Sequence, residues 1–194
     1  MKDFYSILPL AFAGSVAASL CLVSPAAAGS GDYAQCLGAA RANLAAKSYH
    51  TVMVMDLNGT PTTSTVDLQK PDRMHETGPG NEMIAVGKQA WMKMNGGPWK
   101  LMPSLAGMGS LASMDPSKDF KIQGNGSCTD AGMGIWKGQP AHIYKGVSTS
   151  SHGTVTSTMY QLGDGYVHHV DVNTSSGKST FDFSNFNSTN VSPP

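Results

Sequence analysis

The sequence predicts an α+β fold with one large antiparallel sheet, an N-terminal helix and a helical insertion, and three observations predict it. A stretch of helical period opens the working part of the chain. A long series of period-two runs follows, each bounded by Gly, Pro or Asn. The helical period returns once, near the middle, before the alternation resumes.

The first element spans Asp32 to Lys47, where Tyr33, Cys36, Leu37, Ala40, Leu44 and Ala45 recur at helical spacing. Asp32 near its start and Lys47 at its end match the helix dipole. From Tyr49 to Leu57 the period is two: Thr51, Met53, Met55 and Leu57 share one face, and His50, Val52, Val54 and Asp56 share the other. Asn58-Gly59 supplies a hairpin turn. Strands are expected next over Ser64 to Gln69, Arg73 to Thr77, Glu82 to Val86 and Gln89 to Met94.

From Pro103 to Ser117, Leu105, Met108, Leu111, Ala112 and Met114 repeat at three and four residues, which predicts a short helix weakened by Gly107 and Gly109. Strands resume over Gly134 to Lys137, His142 to Thr149, Thr154 to Leu162, Tyr166 to Asn173 and Lys178 to Phe183. Gly163-Asp164-Gly165 and Ser175-Ser176-Gly177 join the last three. The polar tail from Asn187 to Pro194 has only Val191 to pack and is expected to lie on the surface or fray.

The N-terminus predicts export. Lys2, an apolar run from Ile7 to Val23, and the small residues Ala26, Ala27 and Ala28 read as a cleavable signal peptide over residues 1–28. Pro9, Gly14, Ser15 and Ser19 interrupt a run already short against the roughly 20 apolar residues of a spanning helix. Lipidation at Cys21 is the competing reading, and Leu20 before it stands where a small residue is expected. The remainder, residues 29–194, is long enough for one domain with a core, so the expectation is a periplasmic, non-integral protein.

Two cysteines remain after cleavage, Cys36 and Cys128, and in an oxidising compartment such a pair is expected to form a disulfide rather than two buried thiols. Charged residues make up 13% of the chain and the formal net charge is +0, so no electrostatic footprint for nucleic acid exists.

Chemistry is sparse. There is no Gly-x-Ser-x-Gly elbow, no His-Glu-x-x-His and no phosphate loop, and Cys36 and Cys128 lack the Cys-x-x-Cys spacing, so no enzyme is expected. Glu76 and Glu82 could pair across a hairpin, but scattered carboxylates on strands are usually solvated faces, and that is the expectation here. His168 and His169 fall on opposite faces of a strand, one expected exposed and the other packed. No cofactor is expected. A copper site built from methionine with His50, His75, His142, His152, His168 and His169 is the alternative reading, since thioether and imidazole suit copper. A third is a structural or interaction domain with a filled core.

The chain carries 12 methionines. Alternation places Met53 with Met55, and Met92 with Met94, on common strand faces. Thioether side chains repack around hydrocarbon of variable shape, although the same residues also fill ordinary cores. Trp91, Trp99, Trp136, Tyr144, Tyr160, Phe181 and Phe183 are spread over many strands, as core aromatics are. Trp99 follows Gly96-Gly97-Pro98 on a glycine-rich loop, where a ring can guard an opening.

In order along the chain come the N-terminal helix, the strand Tyr49 to Leu57, Lys70-Pro71-Asp72-Arg73, Glu82-Met83-Ile84-Ala85-Val86-Gly87, Ala90-Trp91-Met92-Lys93-Met94 and Gly96-Gly97-Pro98-Trp99. Gly138-Gln139-Pro140-Ala141-His142-Ile143-Tyr144 and Phe181-Asp182-Phe183-Ser184-Asn185-Phe186-Asn187 follow. In that order they resemble the LolA/LppX-like periplasmic carriers. The resemblance implies an unclosed β-barrel, a strongly curved antiparallel sheet with helices as its lid, holding an acyl chain or another lipid against the concave face. It implies a lipid or an acylated protein as partner in lipoprotein sorting or lipid transport. Met53, Met55, Met92, Met94, Trp99, Phe181 and Phe183 are then the candidates for the cavity lining, and movement of Pro103 to Ser117 would release the cargo.

Overall fold

The structure, a computed structural model, describes residues 30–57, 59–103, 125–150 and 153–194. The expected signal peptide with Cys21, Asn58 of the first turn, the helical insertion beyond Pro103, and His152 lie outside the described residues.

A helix, α1 (Ser30–Ala45), leads into eleven strands: β1 (Ser48–Leu57), β2 (Thr60–Gln69), β3 (Arg73–Gly78), β4 (Asn81–Val86), β5 (Gln89–Met94), β6 (Lys100–Leu101), β7 (Asn125–Trp136), β8 (Gln139–Ser150), β9 (Gly153–Gln161), β10 (Val167–Thr174) and β11 (Gly177–Ser184). All belong to one antiparallel sheet in the order β6-β5-β4-β3-β2-β1-β11-β10-β9-β8-β7. Two meanders, β1 to β6 and β7 to β11, are joined where the first strand pairs with the last, from His50 opposite Ser184 to Leu57 opposite Gly177. The order is linear, so the sheet is not closed into a barrel, and β6 and β7 are its edges. Two-residue β6 was not anticipated, and β7 begins nine residues earlier than the expected Gly134, at Asn125. Its Gly126, Cys128, Gly132 and Gly134 hide the alternation.

One face of α1 meets the sheet. Cys36, Ala39, Ala40, Asn43 and Leu44 are buried at i, i+3, i+4, i+7 and i+8, the spacing of a single helical stripe. The stripe differs from the expected one: Ala39 and Asn43 belong to it, whereas Ala45 is exposed and Leu37 half-buried. Small side chains at Ala39 and Ala40 let the helix approach closely. Asn43, 1% exposed, then takes the place of a backbone partner. Its Nδ2 donates to Val167 O at 2.7 Å and its Oδ1 accepts from Val167 N at 2.8 Å, which satisfies both polar groups where the β9–β10 register slips. A disulfide between Cys36 and Cys128 fastens the same stripe to β7 across 92 residues of chain.

The core gathers between α1 and this sheet face: Tyr49, Met53, Leu68, Tyr144, Met159, Val170, Val172, Phe181 and Phe183. Tyr49 meets Phe183 edge to face at 5.9 Å, and its burial pushes the phenol up to about 12.

The C-terminal tail lies on the surface with Val191 packed, as one branch of the expectation had it, and is tied down rather than frayed. Asn187 N donates to Ser48 O at 2.8 Å, and Asn187 Oδ1 accepts from Lys47 N at 2.8 Å. Val191, 2% exposed, receives Arg73 Nη1 on its carbonyl at 2.9 Å and donates its N–H to Gln69 Oε1 at 2.8 Å. The tail thus straps the ends of β1, β2 and β3. A polar composition conceals this, because the bonds are made mostly by its backbone.

Two outcomes follow for stability. Replacing both Cys36 and Cys128 with Ser is expected to cost about 2 to 5 kcal/mol, read from urea unfolding beside the oxidised parent; an unchanged midpoint would contradict the staple. Asn43→Ala strands a buried N–H and a buried carbonyl and is expected to cost about 2 to 4 kcal/mol in the same assay, with Asn43→Asp only partly restoring it.

Candidate functional site

Residues directly opposite one another on neighbouring strands share a face, so the strand registers carry face identity across the whole sheet. One row runs Tyr144, Met159, Val170, Phe181, Met53, Ser64. A second runs Phe183, Thr51, Val66, Glu76, Met83, Met92 and ends at Lys100 on β6. A third runs Tyr49, Leu68, Met74, Ala85, Ala90. All three belong to the inner face, the one packed by α1. Met53, Met55, Met74, Met83, Met92, Met94, Met133 and Met159 all stand on it.

Burial divides the candidates that alternation had grouped. Met53, Phe181 and Phe183 are 1%, 3% and 2% exposed and sit in the core under α1. Met55 and Met92 are half-buried, and Met94 is 56% exposed. Accessible thioether therefore lies at the end of β1 and on β5, toward the β6 edge, and at Met133 on β7, the opposite edge. Trp99 stands apart, with Lys93 Nζ 4.9 Å from its ring centroid, and the Lys93 side chain belongs to the opposite face from Met92 and Met94. The cation holds this ring, and sequence could not show it.

Glu76 is the unanticipated member. Between Val66 and Met83, it is half-buried on an apolar face, and among the described residues it has no hydrogen-bond or ion partner. Desolvation pushes its carboxyl above the usual carboxylate range. Glu82 does not meet it: Glu82 pairs in register with Thr77 and faces outward. There Lys93 and His75 bond its carboxylate and hold it below the usual range. The two carboxylates do not pair, because the residues have opposite strand parity.

Carboxylates satisfy every described histidine. On the outer face, His50 Nδ1 meets Asp67 Oδ1 at 2.7 Å, His75 Nε2 meets Glu82 Oε1 at 2.8 Å, and His169 Nδ1 meets Asp182 Oδ1 at 2.6 Å while its ring stacks on Trp136. His168 and His169 are both half-buried rather than one exposed, because a bulge follows Val167 and each finds its own carboxylate, Asp164 for His168. On the inner face, His142 Nε2 meets Asp130 Oδ1 at 2.6 Å at the β7 bulge, and the Gly132 amide and His142 lower the Asp130 carboxyl. Among the described residues no group of three His, Cys, Asp or Glu converges as metal ligands do, and no helix is long and apolar enough to cross a membrane.

No protein-family model matches the chain, and no curated protein matches it in sequence. Solved structures do. The crystal structure of the Mycobacterium tuberculosis lipoprotein LppX superposes with a TM-score of 0.58 at 14% identity, covering 82% of this chain and 97% of that one. The fold is LppX-like. LprF from Mycobacterium bovis aligns equally well, with a TM-score of 0.58 at 13% identity over 84% of this chain and 96% of its own. At such identity the LppX-like likeness concerns the path of the chain, and the side chains facing any ligand are this protein's own.

Because folding raises the Glu76 pKa, the folded state holds that proton to higher pH than the unfolded chain does. Its unfavourable contribution is absent below the unfolded carboxyl range and grows as pH rises through that range toward the folded value. Glu76→Gln is expected to raise the thermal midpoint at about pH 7 and to leave it near the parent's at about pH 3. A lower midpoint for the variant at neutral pH would show that the carboxylate has a stabilising partner.

Proposed function

We propose that this protein is an exported, single-domain, non-catalytic carrier or sensor that holds a lipid or acyl chain against the inner face of its sheet. The observation that carries the reading is the collection of eight described methionines on one face of an unclosed sheet, Met133 on β7 included, four of them half-buried or exposed. Unbranched thioethers adapt to hydrocarbon, and a sheet with two edges leaves a side through which a chain can enter. The likeness to a lipoprotein, LppX, supports the architecture. The disulfide fits an oxidising compartment, which accords with a signal peptide over residues 1–28 and a periplasmic location.

In this reading Met55, Met92 and Met94 touch the cargo, while Met53, Phe181 and Phe183 form the floor beneath it. Burial supplies the affinity: at about 0.8 kcal/mol per methylene, a dozen sequestered methylenes contribute about 10 kcal/mol before ordering costs. Capture of that strength is tight and still reversible.

Native mass spectrometry of protein purified from cells tests it, with a co-purifying lipid mass as the expected result. Met92→Trp combined with Met94→Trp fills the accessible end of the face and is expected to lower the lipid-bound fraction about tenfold without moving the thermal midpoint by more than a few degrees. Bare protein from cells, together with no uptake from vesicles, would sink the carrier reading.

A further inference from the structure

The inner face of β1 to β6 is apolar or neutral except at two positions. Glu76 on β3 and Lys100 on β6 are the acid and base whose side chains stand there, among the described residues. They occupy a single row: Glu76 faces Met83, Met83 faces Met92, and Met92 faces Lys100. Opposite charges thus flank buried Met83 and half-buried Met92. Three strand spacings separate their backbones, about 14 Å. Neither is spent on another described residue, since no hydrogen bond or ion pair joins Glu76 or Lys100 to any of them.

An unpaired carboxyl in apolar surroundings is costly, and a hydrophobic residue of similar size would pack between Val66 and Met83 without that cost. A carboxylate offers acceptors alone, so its complement is a donor. The exposed Lys100 carries a compact positive charge on a flexible four-carbon stem, and phosphate is its complement. Resting on the carrier reading above, we propose that Glu76 and Lys100 form a head-group clamp for a phospholipid bearing a primary ammonium. Lys100 takes the phosphate, Glu76 takes the ammonium, the head group lies across Met83 and Met92, and the acyl chains continue onto the apolar face beside Met94. A quaternary ammonium lacks the N–H donors that Glu76 accepts, and a glycerol head offers hydroxyl donors but no positive charge to balance the carboxylate. The clamp therefore discriminates by head group, which the methionines cannot do.

The test incubates the full mature chain with vesicles of mixed phosphatidylethanolamine, phosphatidylcholine and phosphatidylglycerol, then identifies the bound lipid by mass. Wild-type protein is expected to enrich phosphatidylethanolamine about tenfold over its share of the vesicle, the discrimination of one charge-assisted contact. Glu76→Gln, which keeps shape and removes charge, is expected to bring enrichment within about twofold of the vesicle composition while total uptake persists. Lys100→Gln is expected to lower uptake of all three phospholipids together, by about fivefold. Uptake without head-group preference, or a preference that survives Glu76→Gln, overturns the clamp and leaves the carrier standing. Failure to take up any of the three lipids overturns both.

Discussion

The antiparallel ladder between β1 and β11 is the interaction on which this architecture rests, because it joins the first strand to the last and makes one sheet of two meanders. Without it Met53 would not face Phe181, and the floor under α1 would be two incomplete surfaces. This contact spans most of the chain, so its loop-closure entropy is met only when both meanders bury their inner faces together. Helix α1 supplies that burial. Its stripe of small residues, the Asn43 bridge to Val167 and the Cys36–Cys128 disulfide act at three successive levels of the same contact.

Once the sheet is continuous, strand parity assigns chemistry to each face. The inner face collects thioether, aliphatic and aromatic side chains, and the outer face collects His50, Asp67, His75, Glu82 and Lys93 in a row crossing five strands, bonded as His50–Asp67 and as His75–Glu82–Lys93, with His75 4.0 Å from Asp67. Glu76 and Lys100 break that division. Their position beside Met83 and Met92 gives the inner face a direction, polar toward the β6 edge and dry toward β11.

Much of this was legible before any coordinates. Alternation from Tyr49 to Leu57 and from Gln89 to Met94 fixed which methionines share a face, and Cys36 and Cys128, the two cysteines outside the expected signal segment, implied their bond. Turns at Gly163-Asp164-Gly165 and Ser175-Ser176-Gly177 marked the last hairpins. Other elements were opaque for physical reasons. Strand β7 carries glycines where a hydrophobic alternation would announce it, and Gly134 leaves room for the side chain of Ile143, whose Cδ1 crowds the place a Cβ would take. Strand β6 is too short to show a period. Asn43 reads as an exposed amide until Val167 is placed opposite it, and the Lys93 cation beside the Trp99 ring has no signal in the sequence.

By itself the sequence determined the local grammar: the N-terminal helix, successive short strands, the face each side chain takes on its own strand, and a neutral, methionine-rich composition. Tertiary structure alone decided depth. Met53 and Met94 have the same parity pattern and opposite fates, 1% and 56% exposed, because α1 packs over one end of the face and β6 is an edge at the other. Periodicity is a property of neighbours along the chain, whereas burial depends on which distant segments arrive above it. For that reason Glu76 became visible as a functional candidate only when its row through Met83 and Met92 to Lys100 was laid out.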